Sequence, residues 1–320
     1  MKPEIKPIFS VVITTFNRRT LLKKAVHTAL GQTYPCEVII VDDCSEDGTE
    51  AWVKKIQSEP WGERVQYIRN SVNLGHSGSI NRGVAIASGN WIKFLDDDYL
   101  APNCLEQIAE AITLAQHQTS EPIALCSVQA IQEHLNGKPF RKTRLPRPIA
   151  AHDLTRRRRN LGYLVDRDDV HYNMLIGRLP FGTPVQVACS RQAFDQVQGW
   201  NPQFNGDSDD IEFWVRAAST GAAIVLHAPL AYRTHGAHNI SASLSEVQRF
   251  QTNWMIKQNI FQRVSSKYQA DLPSMSDLRT SLEVHWGLVS LKNKHIAEAI
   301  ALLSHALRSP SRWWKYAVHR

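Results

Sequence analysis

The chain has 320 residues, 43% hydrophobic and 21% charged, which is enough apolar material for a packed core and excludes a disordered chain or a fibrous repeat. At about 100–200 residues per domain, that length sets one large domain or two. A net charge of +7 admits an anionic partner and leaves nucleic acid, anionic lipid and a phosphorylated small molecule open.

Residues 8–14 form a short β-branched run and read as a first strand. Residues 20–31 carry helical spacing at Leu21, Leu22, Ala25, Val26, Ala29 and Leu30, with Gly31 at the stop. A second strand over 37–41 leads into a turn-rich stretch at 42–49, then a helix over 50–57 and a third strand over 65–69. Residues 77–88 read as a helix with Gly89 as its C-cap, 91–95 as a fourth strand and 102–117 as a helix. Strands alternating with helices predict an α/β fold with a mostly parallel sheet flanked by helices. Such a sheet places its sites beyond the carboxyl ends of its strands. The loops there are 15–19, 42–48, 70–78 and 96–98.

A fifth strand is expected over 123–130. Residues 136–184, with prolines at 139, 146, 148, 180 and 184 and many arginines, read as an insertion over the sheet. Strands over 185–190, 222–226 and 230–234 and a helix over 209–219 follow. Helical periodicity dominates from 243, with a hairpin over 282–291 and 297–307. The expected domains are 1–240, with halves 1–118 and 119–240, and a helical extension over 241–320. No apolar run approaches the ~20 residues that span a bilayer, and the first ten residues lack a signal peptide's hydrophobic region. Cys36, Cys44, Cys104, Cys126 and Cys189 have no metal or redox spacing. These features predict a cytoplasmic protein with free thiols.

Three acidic groups stand out. Asp96-Asp97-Asp98 follows an apolar strand, and adjacent carboxylates bind a cation or remain in solvent because burying them together is costly. Mg2+ and Mn2+ prefer such oxygen ligands, often one or two carboxylates plus substrate phosphates. Asp42-Asp43 follows a second apolar strand, so two acidic strand ends converge on one crevice. An Asx turn toward Ser45 accounts for one of that pair equally well. In the third group, Asp207, Asp209 and Asp210 precede or open a helix where Glu212 and Arg216 stand at pairing distance.

Five segments in order carry a resemblance: Val11-Val-Ile-Thr-Thr-Phe-Asn17, Val41-Asp-Asp-Cys-Ser-Glu-Asp-Gly-Thr49, Asn73-Leu-Gly75, Ala87-Ser-Gly-Asn-Trp-Ile-Lys-Phe-Leu-Asp-Asp-Asp98, and Asp209-Asp210 followed by Trp214 and Arg216. Over residues 8–240 the chain resembles glycosyltransferase family 2, inverting enzymes with a GT-A fold. The resemblance implies a nucleotide-binding half over 1–118 and an acceptor half over 119–240. It implies that Thr14, Thr15 and Asn17 line the nucleotide loop, with Asn73 and Gly75 beside it. Asp43 would accept the imide N–H of a pyrimidine base with Asp42 next to it, and Asp96 and Asp97 would meet ribose and diphosphate. Asp98 is the implied metal ligand, His235 a further metal or diphosphate contact, and Asp210 the catalytic base. The chain departs from the usual pattern at Thr14, where proline is common, and at Asp209, where glutamate is common. The second departure leaves the division of labour between Asp209 and Asp210 open.

The implied reaction moves a sugar from a nucleotide diphosphate, UDP above all, to a hydroxyl of a glycan or lipid-linked acceptor, assisted by Mn2+ or Mg2+. A developing negative charge on the leaving diphosphate is what a divalent cation stabilises, and a carboxylate within reach takes the hydroxyl proton. Arg141, Lys142, Arg144, Arg147 and the run Arg156–Arg159 suit either a solvated face, a diphosphate-bearing acceptor or an anionic membrane at the inner face of the plasma membrane. Nucleic acid is not expected, because no recognition motif accompanies the charge. The 308–320 segment mixes cations and tryptophans, suiting either a bilayer interface or a packed last helix. Trp200 suits either core packing or a sugar face. Two other readings remain: a non-catalytic sugar-nucleotide or glycan-binding module on the same scaffold, and a nucleotidyltransferase. The latter lacks a phosphate-cradling glycine-rich lysine loop.

Overall fold

The computed structural model describes residues 8–96, 98–134, 137–142, 146–157, 159–179, 181–204, 208–235 and 244–307, side chains excepted at 141–142, 235 and 305–307. The chain divides into two compact units, 1–237 and 238–320.

The first unit opens with strand β1 (Phe9–Thr15), helix α1 (Arg19–Leu30), β2 (Cys36–Asp42), α2 (Thr49–Gln57), β3 (Val65–Arg69), α3 (Gly75–Ile86), β4 (Trp91–Phe94), the two-residue β5 (Tyr99–Leu100) and α4 (Cys104–Gln118). β1 is buried at all seven positions, as a central parallel strand covered on both faces requires. β2 and β4 flank it in parallel, and β3 pairs beyond β2 in the same sense. Alternation along β1 sends Val11 and Ile13 into a core shared with Leu22, Ala25, Val26 and Ala29 of α1 and with α4. Val12 points the other way, under α3. A Cβ added at Gly83 would stand 2.6 Å from Val12 Cγ1 and 2.8 Å from Val41 Cγ2, so glycine lets this helix lie close on the sheet. Phe94 faces the α3 side too, ringed by Phe194, Trp200, Phe213 and Trp214.

The chain then forms β6 (Ile123–His134), β7 (Pro139–Lys142), β8 (His152–Arg156), β9 (Arg159–Val165), α5 (Arg167–Leu175), β10 (Val187–Ser190), α6 (Arg191–Gln196), α7 (Asp209–Ala217) and β11 (Ala222–His235). The sheet order is β3-β2-β1-β4-β10-β6-β11-β9-β8, with β5 against β11 and β7 against β6. β10 runs antiparallel to both β4 and β6, which makes the sheet mixed. Lys93 of β4 is fully buried and donates its ammonium to the Val185 and Val187 carbonyls, seating β10's approach. Burial pushes that ammonium down to about 8.

Several expected elements are corrected. α3 ends at Ile86, with Ala87 extended, so Gly89 is not its cap. Gly89 donates its N–H to Ser10 Oγ at 2.8 Å, and a Cβ there would lie 2.5 Å from that oxygen; close approach to β1 is its role. The two short strands after α7 are one strand, β11, whose pairing with β6 shifts register around Pro229. Proline has no N–H for a regular ladder, so a bulge accommodates it. The 136–184 segment does not simply cover the sheet. β9 pairs antiparallel with β11 and β8 with β9, extending the sheet edge. Their exposed, polar outward faces gave no strand-like alternation, as edge strands often do not. All five cysteines are free, four of them buried.

The second unit contains α8 (Glu246–Arg263), α9 (Met275–Lys292) and α10 (Ile296–Leu307). Ser245 and Gln248 form a capping box on α8, and Ser274 caps α9. The Glu246 carboxylate accepts from Asn293 Nδ2 at 2.8 Å and meets His295 Nδ1 at 2.7 Å, tying the start of α8 to the α9–α10 turn.

Candidate active site

The parallel strands β2, β1 and β4 all end at the same edge of the sheet, and their loops carry the expected residues. Thr14 Oγ1 donates to Asp96 Oδ1 at 2.8 Å, because the β1–β4 pairing brings those strand ends side by side. The loops after β1 and β2 are stitched together. Asn17 N donates to Ser45 Oγ at 2.9 Å, Glu46 N to Asn17 Oδ1 at 2.8 Å, and Arg19 N to Asp47 Oδ2 at 2.8 Å. Asn17 itself stays exposed, with φ 54°. Thr15 is buried, and its hydroxyl has no hydrogen-bond partner among the described residues.

Asp42 is fully buried and makes the expected turn: Oδ1 accepts from Ser45 N at 2.8 Å, while Oδ2 accepts from Tyr67 Oη at 2.8 Å. Burial, and then that hydrogen bond to Asp42, raise the Tyr67 phenol. Asp43 anchors the start of α3. Its Oδ1 accepts from Asn70 Nδ2 at 2.7 Å and Leu74 N at 2.8 Å, and its Oδ2 from Gly75 N at 2.9 Å. A carboxylate at the positive end of a helix is favourable. Asn73 turns the chain there, accepting from Gly75 N at 3.0 Å, and Gly75 takes φ +72°, which glycine adopts without strain.

α7, later in the chain, enters the same crevice. Asp209 is buried; its Oδ2 accepts from Ser77 Oγ at 2.9 Å and meets His76 Nδ1 at 2.9 Å, while its Oδ1 accepts from Asp210 N at 3.1 Å. His76 Nε2 meets Asp96 Oδ1 at 3.0 Å. Burial would lower the imidazole's proton affinity, but the Asp96 charge and the hydrogen bonds with Asp209 and Asp96 outweigh it and hold His76 well above the ordinary histidine value. Burial likewise favours a neutral Asp96, yet the His76 charge and the bonds from His76 and Thr14 lower its carboxyl. At Asp210 the His76 and Arg233 charges fall short of compensating. Burial first, and the Asp209 charge second, push it up to about 7, although Ile211 N donates to Oδ1 at 2.7 Å.

Asp98 lies partly exposed after β4, and its Oδ1 accepts from Thr234 N at 2.9 Å. That bond places Asp98 beside the end of β11, the strand that carries His235. A partly exposed carboxylate at this strand end fits a hard divalent cation that takes its remaining ligands from phosphate and water. Asp97 and the His235 side chain lie outside the described residues, as does Asp207. Among the described residues, the group of three ligating side chains is elsewhere, at Glu246, His295 and Glu298, where hydrogen bonding between the helices already explains it.

Reading the sequence did not single out His76 and Ser77. Their signal was position: they directly follow Asn73-Leu-Gly75, in the first turn of a helix that starts at the crevice. Trp200 is 1% exposed, stacked on Phe213 at 5.2 Å and edge-on to His76 at 5.2 Å, so it belongs to the core. Glu212 and Arg216 form the expected pair, at 2.6 and 2.7 Å. In the basic segment, Arg147 pairs with Asp153 at 3.0 Å and Arg156 with Glu110. Arg144, Arg158, the side chains of Arg141 and Lys142, and residues 308–320 lie outside the described residues.

Comparison with known proteins completes the picture. The model of the family described as Glycosyl transferase family 2 matches residues 10–182. Among curated relatives, the GalNAc(5)-diNAcBac-PP-undecaprenol beta-1,3-glucosyltransferase of Campylobacter jejuni is 38% identical over 94 residues, 29% of this chain and 30% of that protein. The succinoglycan biosynthesis protein ExoO of Rhizobium meliloti is 31% identical over 171 residues, 49% of this chain and 46% of that protein. The chain thus spans about a third to a half of the length of such relatives. Among solved structures, S. aureus TarS 1-349 in complex with UDP-GlcNAc superposes with a TM-score of 0.61 at 16% identity, covering 95% of this chain and 91% of that one. Mannosyltransferase PcManGT from Pyrobaculum calidifontis, in complex with GDP-Man and Mn2+, gives 0.52 at 15% identity, covering 98% and 86%. At these identities the likeness concerns the fold: a GT-A arrangement of a mixed sheet flanked by helices.

Proposed function

Because the chain belongs to glycosyl transferase family 2, we propose that it transfers a sugar from a nucleotide diphosphate, UDP in first place, to a hydroxyl of a glycan or lipid-linked acceptor in polysaccharide or glycoconjugate synthesis. The observation that carries this reading is the gathering of Asp96, Asp209 and Asp210 at one sheet edge, with Asp210 poised at about 7. A general base works best when its proton affinity lies near the working pH.

Asp210 is the base rather than Asp209. Both Asp209 oxygens are engaged by Ser77, His76 and the Asp210 amide, whereas among the described residues the half-buried Asp210 carboxylate accepts only from its neighbour Ile211. The acceptor oxygen forms its bond to the anomeric carbon as the bond from that carbon to the diphosphate oxygen breaks, and the hydroxyl proton passes to Asp210. One base and one displacement give inversion. Asp96, with Asp97, meets ribose and diphosphate. Asp42 and Asp43 shape the base pocket; of the roughly four acceptor positions on a carboxylate, Asp43 uses three on protein donors, leaving one for an imide N–H. The Thr15 hydroxyl, without a partner among the described residues, takes a nucleotide-loop role alongside Thr14 and Asn17. Asp98, with His235, would hold Mn2+ or Mg2+, which when bound supplies positive charge to the leaving diphosphate.

The relatives support donor and acceptor classes without fixing them. TarS was solved with UDP-GlcNAc and PcManGT with GDP-Man, and the Campylobacter enzyme's name specifies a diphosphate-linked undecaprenol. A lipid-linked acceptor would bring the protein to the inner face of the membrane as a peripheral partner. No described helix is long and apolar enough to cross a membrane. The test is nucleotide release from UDP-glucose, UDP-N-acetylglucosamine, UDP-galactose and GDP-mannose with Mn2+ or with EDTA. Release from at least one donor that EDTA abolishes and Asp210→Asn abolishes supports the reading. Binding of UDP with no turnover of any donor, with or without an undecaprenyl-diphosphate sugar, overturns it in favour of a binding module.

A further inference from the structure

His76 is central to the crevice, yet neither the acidic motifs nor the proposed chemistry gives it a role. It sits in the first turn of α3 and reaches in two directions. Nδ1 stands 2.9 Å from Asp209 Oδ2, at the head of α7, and Nε2 stands 3.0 Å from Asp96 Oδ1, in the loop after β4. Both partners are carboxylates, which when ionised can only accept, so both ring nitrogens donate to them. The ring is then an imidazolium between two anions, and the edge of Trp200, at 90° and 5.2 Å, fixes its plane. Ser77 Oγ reinforces one end and Thr14 Oγ1 the other.

We propose that His76 is a positioning residue that clamps the helix carrying Asp210 onto the loop carrying Asp96, holding the donor side and the acceptor side of the site in one register. This rests on the proposed transfer at the same site. The clamp acts through Asp209: its Oδ1 holds the Asp210 amide while its Oδ2 holds His76. The clamp also sets the charge that Asp210 experiences. The ionisable groups facing this cluster are Asp96 from the β4 loop, Asp209 and Asp210 from α7, Arg18 near Asp96, and Arg233 of β11 near Asp210. Without the imidazolium, Asp210 faces Asp209 with one compensating cation fewer, and its proton affinity rises.

The experiment uses the full chain and His76→Gln, which keeps a polar side chain but can bridge neither the distance nor the charge. Turnover of whichever nucleotide sugar the wild type consumes is expected to fall about 10- to 100-fold in kcat, the usual cost of misplacing a reacting group by about an ångström. The donor KM is expected to move less, and the acid limb of the kcat profile to shift to higher pH. Adding Asp209→Asn to His76→Gln is expected to cost little more, since both break one linkage. A purely structural histidine would lower the folded fraction and leave the pH profile and the KM-to-kcat split unchanged; that result, or unchanged kcat, overturns the proposal. A second readout needs no turnover. Assigned imidazole 15N spectra of the wild type at pH 7.5 are expected to show the His76 ring protonated at both nitrogens, and Asp209→Asn is expected to shift its titration to lower pH. A neutral His76 ring in the wild type overturns the clamp even if transfer is confirmed. A protonated, Asp209-linked ring in a protein that turns over no donor leaves the clamp standing and removes the transferase reading.

Discussion

Replacing Asp210 with asparagine should make the protein more stable while it removes transfer. The amide keeps the acceptor for the Ile211 N–H, 2.7 Å away, and removes a negative charge that the site tolerates poorly. The carboxyl stands at about 7 against an ordinary 3.8, a shift of about three units at about 1.4 kcal/mol each. The upper bound on the cost of the charge is therefore about 4 kcal/mol, and partial exposure reduces it to roughly 1–2 kcal/mol. A carboxyl raised in the folded state contributes no penalty below its unfolded value. The penalty grows as pH rises between about 4 and about 7, and is complete above that. Asp210→Asn should thus melt about 2–8 °C higher than wild type at pH 8, at roughly 2–4 °C per kcal/mol for a unit of this size. The gap should shrink at pH 5 and vanish near pH 4. Turnover should fall about 10²- to 10⁴-fold, the usual worth of a general base. Equal melting temperatures at pH 8, or a gap that does not depend on pH, would refute the burial argument on which the assignment of the base depends.

Other consequences concern the metal, the fold and the second unit. Asp98→Ala should abolish the gain in UDP affinity that Mn2+ confers, measured by calorimetry with and without the ion, while UDP binding in EDTA stays unchanged. Gly83→Ala should destabilise the first unit by about 1–3 kcal/mol despite alanine's better helix propensity, because its methyl meets Val12 and Val41 at 2.6 and 2.8 Å; a higher melting temperature would contradict the close packing of α3. Glu246→Gln should lower the melting temperature, since hydrogen bonds from His295 and then Asn293 hold Glu246 down to about 2. His295 is correspondingly raised, so the pair's contribution is full just below the ordinary histidine value and is lost as pH rises through the raised one. The variant's deficit should therefore narrow in alkaline melts.

The buried parallel half of the molecule was legible because its signals are local. β1 and β2 are continuous apolar runs, α1 shows its stripe from Leu22 to Ala29, and the acids stand directly at strand ends. What was not legible depends on partners far along the chain. β8 and β9 are polar edge strands whose pairing with each other and with β11 no short window reveals. β11 looked like two strands because Pro229 interrupts it, and only the β6 ladder on either side makes it one. The same limit applied to the site. Asp209 and Asp210 were found by motif, but which of them is engaged depends on His76 and Ser77, more than 130 residues away in sequence. Gly89 looked like a helix stop; its contact with Ser10, across the strand, gives the actual reason for a glycine.

The central claim, that acids from distant parts of the chain serve one cation and one acceptor hydroxyl, is tested most directly by crystals grown with UDP and Mn2+. Anomalous scattering should place a manganese ion at about 2.1 Å from a carboxylate oxygen of Asp98 and from the UDP diphosphate, with Asp210 open to the crevice on the far side. An ion at Glu246, His295 and Glu298 instead, or UDP bound away from the ends of β1, β2 and β4, would contradict it.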